Sequence, residues 1–242
     1  MANYAETFSA WTSICLTDHT LLGENDTEDD IRELCEESVE SCPFAAAVWP
    51  KVACVINFPH GTDVVEKVLE DTKKVLEDGV DEIDLVINYK KVLQNVEEGL
   101  KEATELTKKV KNLMKEKVLK VIIETGELKN DELIIKTTLA VLEGNADFVK
   151  TSSGKVPVNA TPGAVKAIIE AMKQYVEKNP QKKDKIGLKV AGGVGDLNSA
   201  SYYILLARRF LSALACHPNN FRIGSSSLVP KLRKIIAQNP AV

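Results

Sequence analysis

Asp147-Phe148-Val149-Lys150-Thr151-Ser152-Ser153-Gly154-Lys155 is a short apolar run that delivers a lysine at its end and then breaks into hydroxyls and a glycine. A buried strand opening into a loop that handles a polar ligand has this pattern. Lys150, at the end of such a strand, must be paired or uncharged, because burial disfavours the ammonium form. An uncharged amine is a nucleophile for carbonyls.

Seven other stretches share the form and predict strands: residues 14–18, 44–49, 52–57, 82–88, 118–124, 186–191 and 221–223. Helical signals lie between most of them. Thr27 to Asp30 has capping-box spacing ahead of Ile31, Leu34, Cys35 and Val39. Thr62 or Asp63 can cap a helix carrying Val65, Val68, Leu69, Val75 and Leu76, and Gly79 ends it. A lysine-rich helix follows with Val96, Leu100, Ala103, Leu106, Val110 and Leu113 on one face. Another starts after Asn130 and stops at Gly144. Thr161-Pro162 pairs a capping hydroxyl with proline at the first helical position. Strand and helix alternate with no composition shift that would mark a linker, so residues 1–242 predict one α/β domain, a (β/α)8 TIM barrel. One junction breaks the rule. Only Pro50 and Lys51 separate the strands at 44–49 and 52–57, whereas parallel neighbours need a crossover of about a dozen residues or more. A helix is missing there.

Composition excludes several function classes. The net charge is -4, and the lysine clusters alternate with or face acids, so no nucleic-acid surface is expected. No apolar run nears the length of a membrane span, and residues 1–10 lack the basic start and apolar core of a signal peptide. Five cysteines, odd in number and without Cys-x-x-Cys spacing, predict reduced thiols in a cytoplasmic protein. His19, His60 and His217 lack ligand spacing, so no metal is expected, and Gly192-Gly193-Val194-Gly195 fails the dinucleotide fingerprint.

In such a barrel the chemistry sits at the carboxyl ends of the strands. Asp18, Asn57, Asp84, Asn88, Lys120, Glu124, Lys150 and Lys189 are the polar residues placed there. If Lys150 and Lys189 both point inward, each ammonium disfavours the other and burial pushes the same way, leaving one amine uncharged near neutrality. This reading makes Lys189 the main source of the reactivity of Lys150. An imine on that amine would serve as an electron sink for making and breaking carbon-carbon bonds. The competing reading has both lysines in salt bridges to Asp84 and Asp18 and nothing more. Gly192-Gly193 and Gly224-Ser225-Ser226-Ser227 end the last two strands, where barrels commonly bind phosphate.

The chain resembles the deoxyribose-phosphate aldolases, a family of class I aldolases. The resemblance is carried in order by Leu16-Thr17-Asp18, Asn57-Phe58-Pro59-His60-Gly61, Glu82-Ile83-Asp84, Lys120-Val121-Ile122-Ile123-Glu124-Thr125-Gly126-Glu127-Leu128, Phe148 to Lys155, Lys189-Val190-Ala191-Gly192-Gly193 and Gly224-Ser225-Ser226-Ser227. It implies that Lys150 is the Schiff-base nucleophile, that Lys189 tunes it, that Asp84 relays protons through water, and that Asp18 positions Lys189. It implies further that Lys155, Gly193, Gly224, Ser226 and Ser227 hold the phosphate of 2-deoxyribose 5-phosphate, cleaved reversibly to glyceraldehyde 3-phosphate and acetaldehyde without cofactor. Ala47 replaces a cysteine that some members carry, Gly195 stands where an arginine is common, and residues 239–242 lack a tyrosine that some members use to assist proton transfer. Two alternatives stand beside this: a non-catalytic aldolase-like scaffold, motivated by the missing helix, and a Schiff-base aldolase for another sugar phosphate. Monomer and homodimer are both open.

Overall fold

In the computed structural model, residues 2–40, 52–210 and 217–238 are described. The chain opens with α1 (Ala2–Cys15), β1 (Thr17–His19) and α2 (Glu28–Glu40). It continues through β2 (Ala53–Ile56), α3 (Val65–Glu77), β3 (Glu82–Val86), α4 (Tyr89–Gln94), α5 (Val96–Met114) and β4 (Val118–Ile122). Next come α6 (Thr125–Leu128), α7 (Asp131–Glu143), β5 (Phe148–Lys150), α8 (Pro162–Lys178) and β6 (Gly187–Ala191). The last described elements are α9 (Leu197–Phe210), β7 (Phe221–Ser225) and α10 (Leu228–Gln238). The chain divides into two compact units, Lys51–Gly192 and Met1–Pro50 with Gly193–Val242.

In the Lys51–Gly192 unit, β2 to β6 pair in sequence order and in parallel. The connecting helices make this arrangement possible, since each returns the chain to the start of the next strand. Asn95 caps α5 through Glu98 N, Asn130 caps α7 through Glu132 N and Leu133 N, and Thr161 caps α8 through Ala164 N with Pro162 at the first position. Helix α5 packs on α3 and α7, and α7 packs on α8. Buried on both faces, β3 to β6 read as nearly continuous apolar runs, which is why the few charges within them stand out.

Register then sorts the side chains. Asp84 lies beside Lys120, Lys120 beside Phe148, and Phe148 beside Gly187. Two residues further on, Val86, Ile122, Lys150 and Lys189 form the next row. Alternation puts both rows on one face, with Ile83, Leu85, Leu119, Val121, Val149, Leu188 and Val190 on the other, all fully buried. A Cβ at Gly187 would lie 2.3 Å from Cε1 of Phe148, so the glycine admits the phenyl ring beneath the two lysines.

In the other unit β1 and β7 pair in parallel, with Asp18 beside Gly224. Helix α1 packs on α9 and α10. The run at 14–18 is therefore not one strand: residues up to Cys15 end a helix, and the strand begins at Thr17. Thr7, Ala10 and Ile14 are buried at helical spacing, and tertiary packing of that face overrides the β-like local run. Helix α2 forms where the capping box predicts it, yet none of its residues is buried. The predicted strand at 44–49 and the Pro50-Lys51 junction lie outside the described residues. Among the described residues Cys15, Cys35 and Cys54 are in no disulfide. Among the described residues no helix is long and apolar enough to cross a membrane.

Gly187→Ala is expected to cost about 1–3 kcal/mol of stability, the usual range for overpacking a core. Thermal melts should show Gly187→Ala/Phe148→Leu recovering part of that loss. An unchanged midpoint in the single variant would mean that the ring is not seated on the glycine.

Candidate active site

Glu82 and Asp84 are two residues apart on β3 and so share a face, an unusual placement for acids in a fully buried strand. Lys120 reaches them from β4, with Nζ 2.5 Å from Glu82 Oε2 and 3.0 Å from Asp84 Oδ1. The other oxygen of Asp84 takes two more ammonium groups. Lys150 Nζ donates to Oδ2 at 2.7 Å and Lys189 Nζ at 2.8 Å. One carboxylate thus serves three lysines from three neighbouring strands. Lys120 is inaccessible to solvent, and Asp84, Lys150 and Lys189 are each 3% exposed.

Burial and charge oppose one another here. Burial alone pushes the Asp84 carboxyl up, but Lys150, Lys189 and Lys120 outweigh it and hold Asp84 well below the usual carboxylate range. Lys150 is lowered to about 8: burial is the largest cause, Asp84 opposes it, and Lys189 and Lys120 push the same way as burial. At pH 7 about a tenth of Lys150 is then neutral, against about one part in three thousand for an ordinary lysine. Lys189 is not the first of these causes, contrary to what its position on the neighbouring strand predicts. Burial comes first, since Phe148 and the apolar strands remove water from the amine.

Other strand-end residues brace the scaffold. Asn57 donates Nδ2 to Val86 O at 2.9 Å and accepts Asp63 N on Oδ1 at 2.9 Å, tying the loop after β2 to β3. Asn88 caps α4 through Lys91 N. Glu124 accepts Ser153 N on both oxygens, at 3.2 and 3.3 Å. Lys155 is exposed, and its backbone N donates to Ser153 Oγ at 3.1 Å. Gly192 and Gly193 have φ of +82° and +81°, a region that side chains disfavour, and a Cβ at Gly192 would meet Asn159 at 2.5 Å.

Within the unit that holds β1 and β7, Asp18 Oδ1 accepts Arg222 Nη1 at 2.7 Å, and His19 Nε2 lies 2.9 Å from Glu37 Oε2. Gly224 is buried on β7, while Ser226 and Ser227 are exposed in the turn before α10. Lys231, one turn into α10, donates Nζ to Gly195 O at 2.7 Å. A Cβ on Gly195 would lie 3.4 Å from Ser227 Oγ and 3.7 Å from that Nζ. Sequence reasoning missed Lys231, although its i+4 spacing from Ser227 was a signal. It also gave no partner to Lys120 and no role to Glu82, whose i, i+2 spacing with Asp84 in an apolar strand was the available clue. Among the described residues no group of three or more histidine, cysteine or acidic side chains could hold a metal ion.

Comparison with known proteins agrees with this architecture. Residues 12–201 match the DeoC/LacD family aldolases. The structure of a protein of Toxoplasma gondii ME49, provisionally named a deoxyribose-phosphate aldolase, aligns with a TM-score of 0.88 at 25% identity, over 99% of this chain and 98% of that one. QR15, an aldolase, aligns with a TM-score of 0.74 at 26% identity, over 93% and 96% of the two chains. The deoxyribose phosphate aldolase of Aeropyrum pernix, a tetramer in its own structure, aligns with a TM-score of 0.69 at 23% identity over 96% and 97%, a likeness of fold. The chain is thus an α/β aldolase of the TIM-barrel class. It belongs to the DeoC/LacD family of aldolases.

The depressed Lys150 has a stability signature. A lysine with a folded pKa below its unfolded value costs stability in full below the folded pKa, and the cost fades as pH rises toward the unfolded one. Relative to Lys150→Met, the wild-type protein should gain thermal stability between about pH 8 and pH 10.5. A difference between the two that stays flat over that window would show Lys150 titrating as an ordinary lysine.

Proposed function

We propose that this aldolase acts through a Schiff base on Lys150 and cleaves 2-deoxy-D-ribose 5-phosphate reversibly into D-glyceraldehyde 3-phosphate and acetaldehyde. The observation that carries the reading is the buried amine of Lys150, lowered to about 8 and held 2.7 Å from Asp84 Oδ2. Neutral Lys150 Nζ adds to the aldehyde carbon of the open sugar, and loss of water gives the iminium ion. Asp84, ionised and bonded to both Lys150 and Lys189, takes up and returns protons through water. The C3 hydroxyl gives up its proton as the C2–C3 bond breaks. Its carbon leaves as the aldehyde of glyceraldehyde 3-phosphate, and the bonding pair passes to the enamine. A proton then adds to C2, and water releases acetaldehyde from Lys150.

In this reading Lys189 tunes the nucleophile and Asp18 positions Lys189. Lys155, Gly193, Gly224, Ser226 and Ser227 hold the phosphate, with residues 1–242 acting as one cytoplasmic aldolase domain. The exposed serines at the start of α10 and the open glycine backbone support that assignment, since backbone amides and hydroxyls there suit an anion. None of these steps calls on a cofactor.

Incubation with deoxyribose 5-phosphate, borohydride reduction and peptide mass spectrometry should place a stable adduct on Lys150. A folded protein with no adduct would sink the reading, and adducts formed only by other sugar phosphates would move it to a different substrate. Lys150→Ala should lose the adduct and at least about a thousandfold in kcat while keeping its circular dichroism. Lys189→Leu removes a positive charge that lowers Lys150 and leaves Asp84 with fewer partners. Both effects raise the Lys150 pKa, so imine formation should move to higher pH. An unmoved pH profile would show that Lys189 does not tune Lys150.

A further inference from the structure

Glu124 is a carboxylate inaccessible to solvent, and neither oxygen is spent on a lysine in the way that those of Asp84 are. Its backbone has φ of +53°, the left-handed region that a non-glycine residue adopts only where its surroundings enforce it. The surroundings are the loop after β5. Both carboxylate oxygens share the Ser153 N–H. Ser153 Oγ in turn accepts Lys155 N at 3.1 Å. Beside this chain of bonds, Thr125 N donates to Thr151 O at 2.9 Å. A Cβ on Gly126 would lie 1.8 Å from Val158 O, so the turn after β4 is pressed onto the far end of the same loop. The loop is gripped at residues 151, 153 and 158, and Lys155 lies in the chain between the last two grips.

The geometry points to Glu124 as a positioning residue that sets Lys155 toward the substrate's terminal anion and so determines the preference for a phosphorylated over an unphosphorylated aldehyde sugar. This rests on the reading proposed above. Such a burial is justified by what the carboxylate holds, because the bonds that its two oxygens share from one Ser153 amide offset part of the cost of keeping it out of water. Burial still raises Glu124 above its ordinary value, against those bonds. Touching neither the amine of Lys150 nor that of Lys189 by a hydrogen bond, it acts on the loop through Ser153, and its charge bears on Lys150 only as the least of the influences on Glu124.

The test compares deoxyribose 5-phosphate with unphosphorylated 2-deoxyribose as substrates of wild-type, Glu124→Ala, Glu124→Gln and Lys155→Ala enzyme. Glu124→Ala should raise KM for the phosphorylated sugar about tenfold or more while kcat/KM for deoxyribose stays within about twofold. Glu124→Gln, which keeps an acceptor for Ser153 N, should recover most of the loss and secures the result if the alanine variant folds poorly. In the Lys155→Ala background the Glu124→Ala change should add nothing, since both remove one contact. Equal losses on the two sugars, or additive losses with Lys155→Ala, would overturn the inference and leave the aldolase reading intact. A wild-type enzyme that traps neither sugar on Lys150 would take down both.

Discussion

The site depends on one carboxylate shared among three lysines. An ammonium taken out of water costs several kcal/mol even after relaxation, so Lys120, Lys150 and Lys189 can be buried on one sheet face only around an acid that stays ionised. Asp84 meets that condition because the three cations overcome its own burial cost. The reverse is not symmetric. Asp84 opposes the loss of charge on Lys150, but burial, aided by Lys189 and Lys120, outweighs it. Lys150 stands at about 8 for this reason, poised between a salt-bridged cation and a free nucleophile.

Placement by register makes the arrangement rigid. Asp84 and Lys120 lie side by side one row below Lys150 and Lys189, so the upper lysines lean back toward the acid from the strand ends. A side chain fixed at both its strand and its partner loses little further freedom when a substrate arrives, which is the condition for a preorganised site. Gly187 contributes by what it lacks: the absence of a side chain lets the Phe148 ring fill the space under the pair. The apolar ring and the charged row are thus parts of one device, in which the first sets the proton affinity that the second exploits.

Much of this was legible in the sequence. The strands β3 to β6 lie within the runs marked by their apolar residues, because parallel strands covered on both faces have few ways to be spelled. The helices α7 and α8 begin after Asn130 and Thr161, whose capping chemistry is local. The beginning of the chain was harder. Residues 14–16 look like a strand in isolation, and the helix that claims the first two is stabilised by α9 and α10, nearly two hundred residues away in the chain. The lysines could be named from their strand ends, and Asp84 as a salt-bridge partner of Lys150 and Lys189 was one of the two readings open, but the pairing of Lys120 was not legible. That Lys120 belongs with Glu82 and Asp84 follows from the register of β3 against β4, which no local pattern encodes.

The division of labour between strands and loops explains why the reading of the chemistry stands further from the loops than from the strands. The charged row is built on β3, β4, β5 and β6, where a slip of one residue would turn each lysine to the opposite face. The loops obey weaker constraints. Gly195 stands where the resembling family commonly has an arginine, yet a cation is present at that backbone all the same, brought by Lys231 from one turn inside α10. A charge needed at a surface can be delivered from any element that passes it, since a flexible lysine spans several ångströms and the surrounding water tolerates either origin. A charge needed in a core has one address. A glycine at 195 therefore still leaves a cation beside that backbone, whereas an exchange at Asp84 would leave three buried ammonium groups with their common acceptor gone.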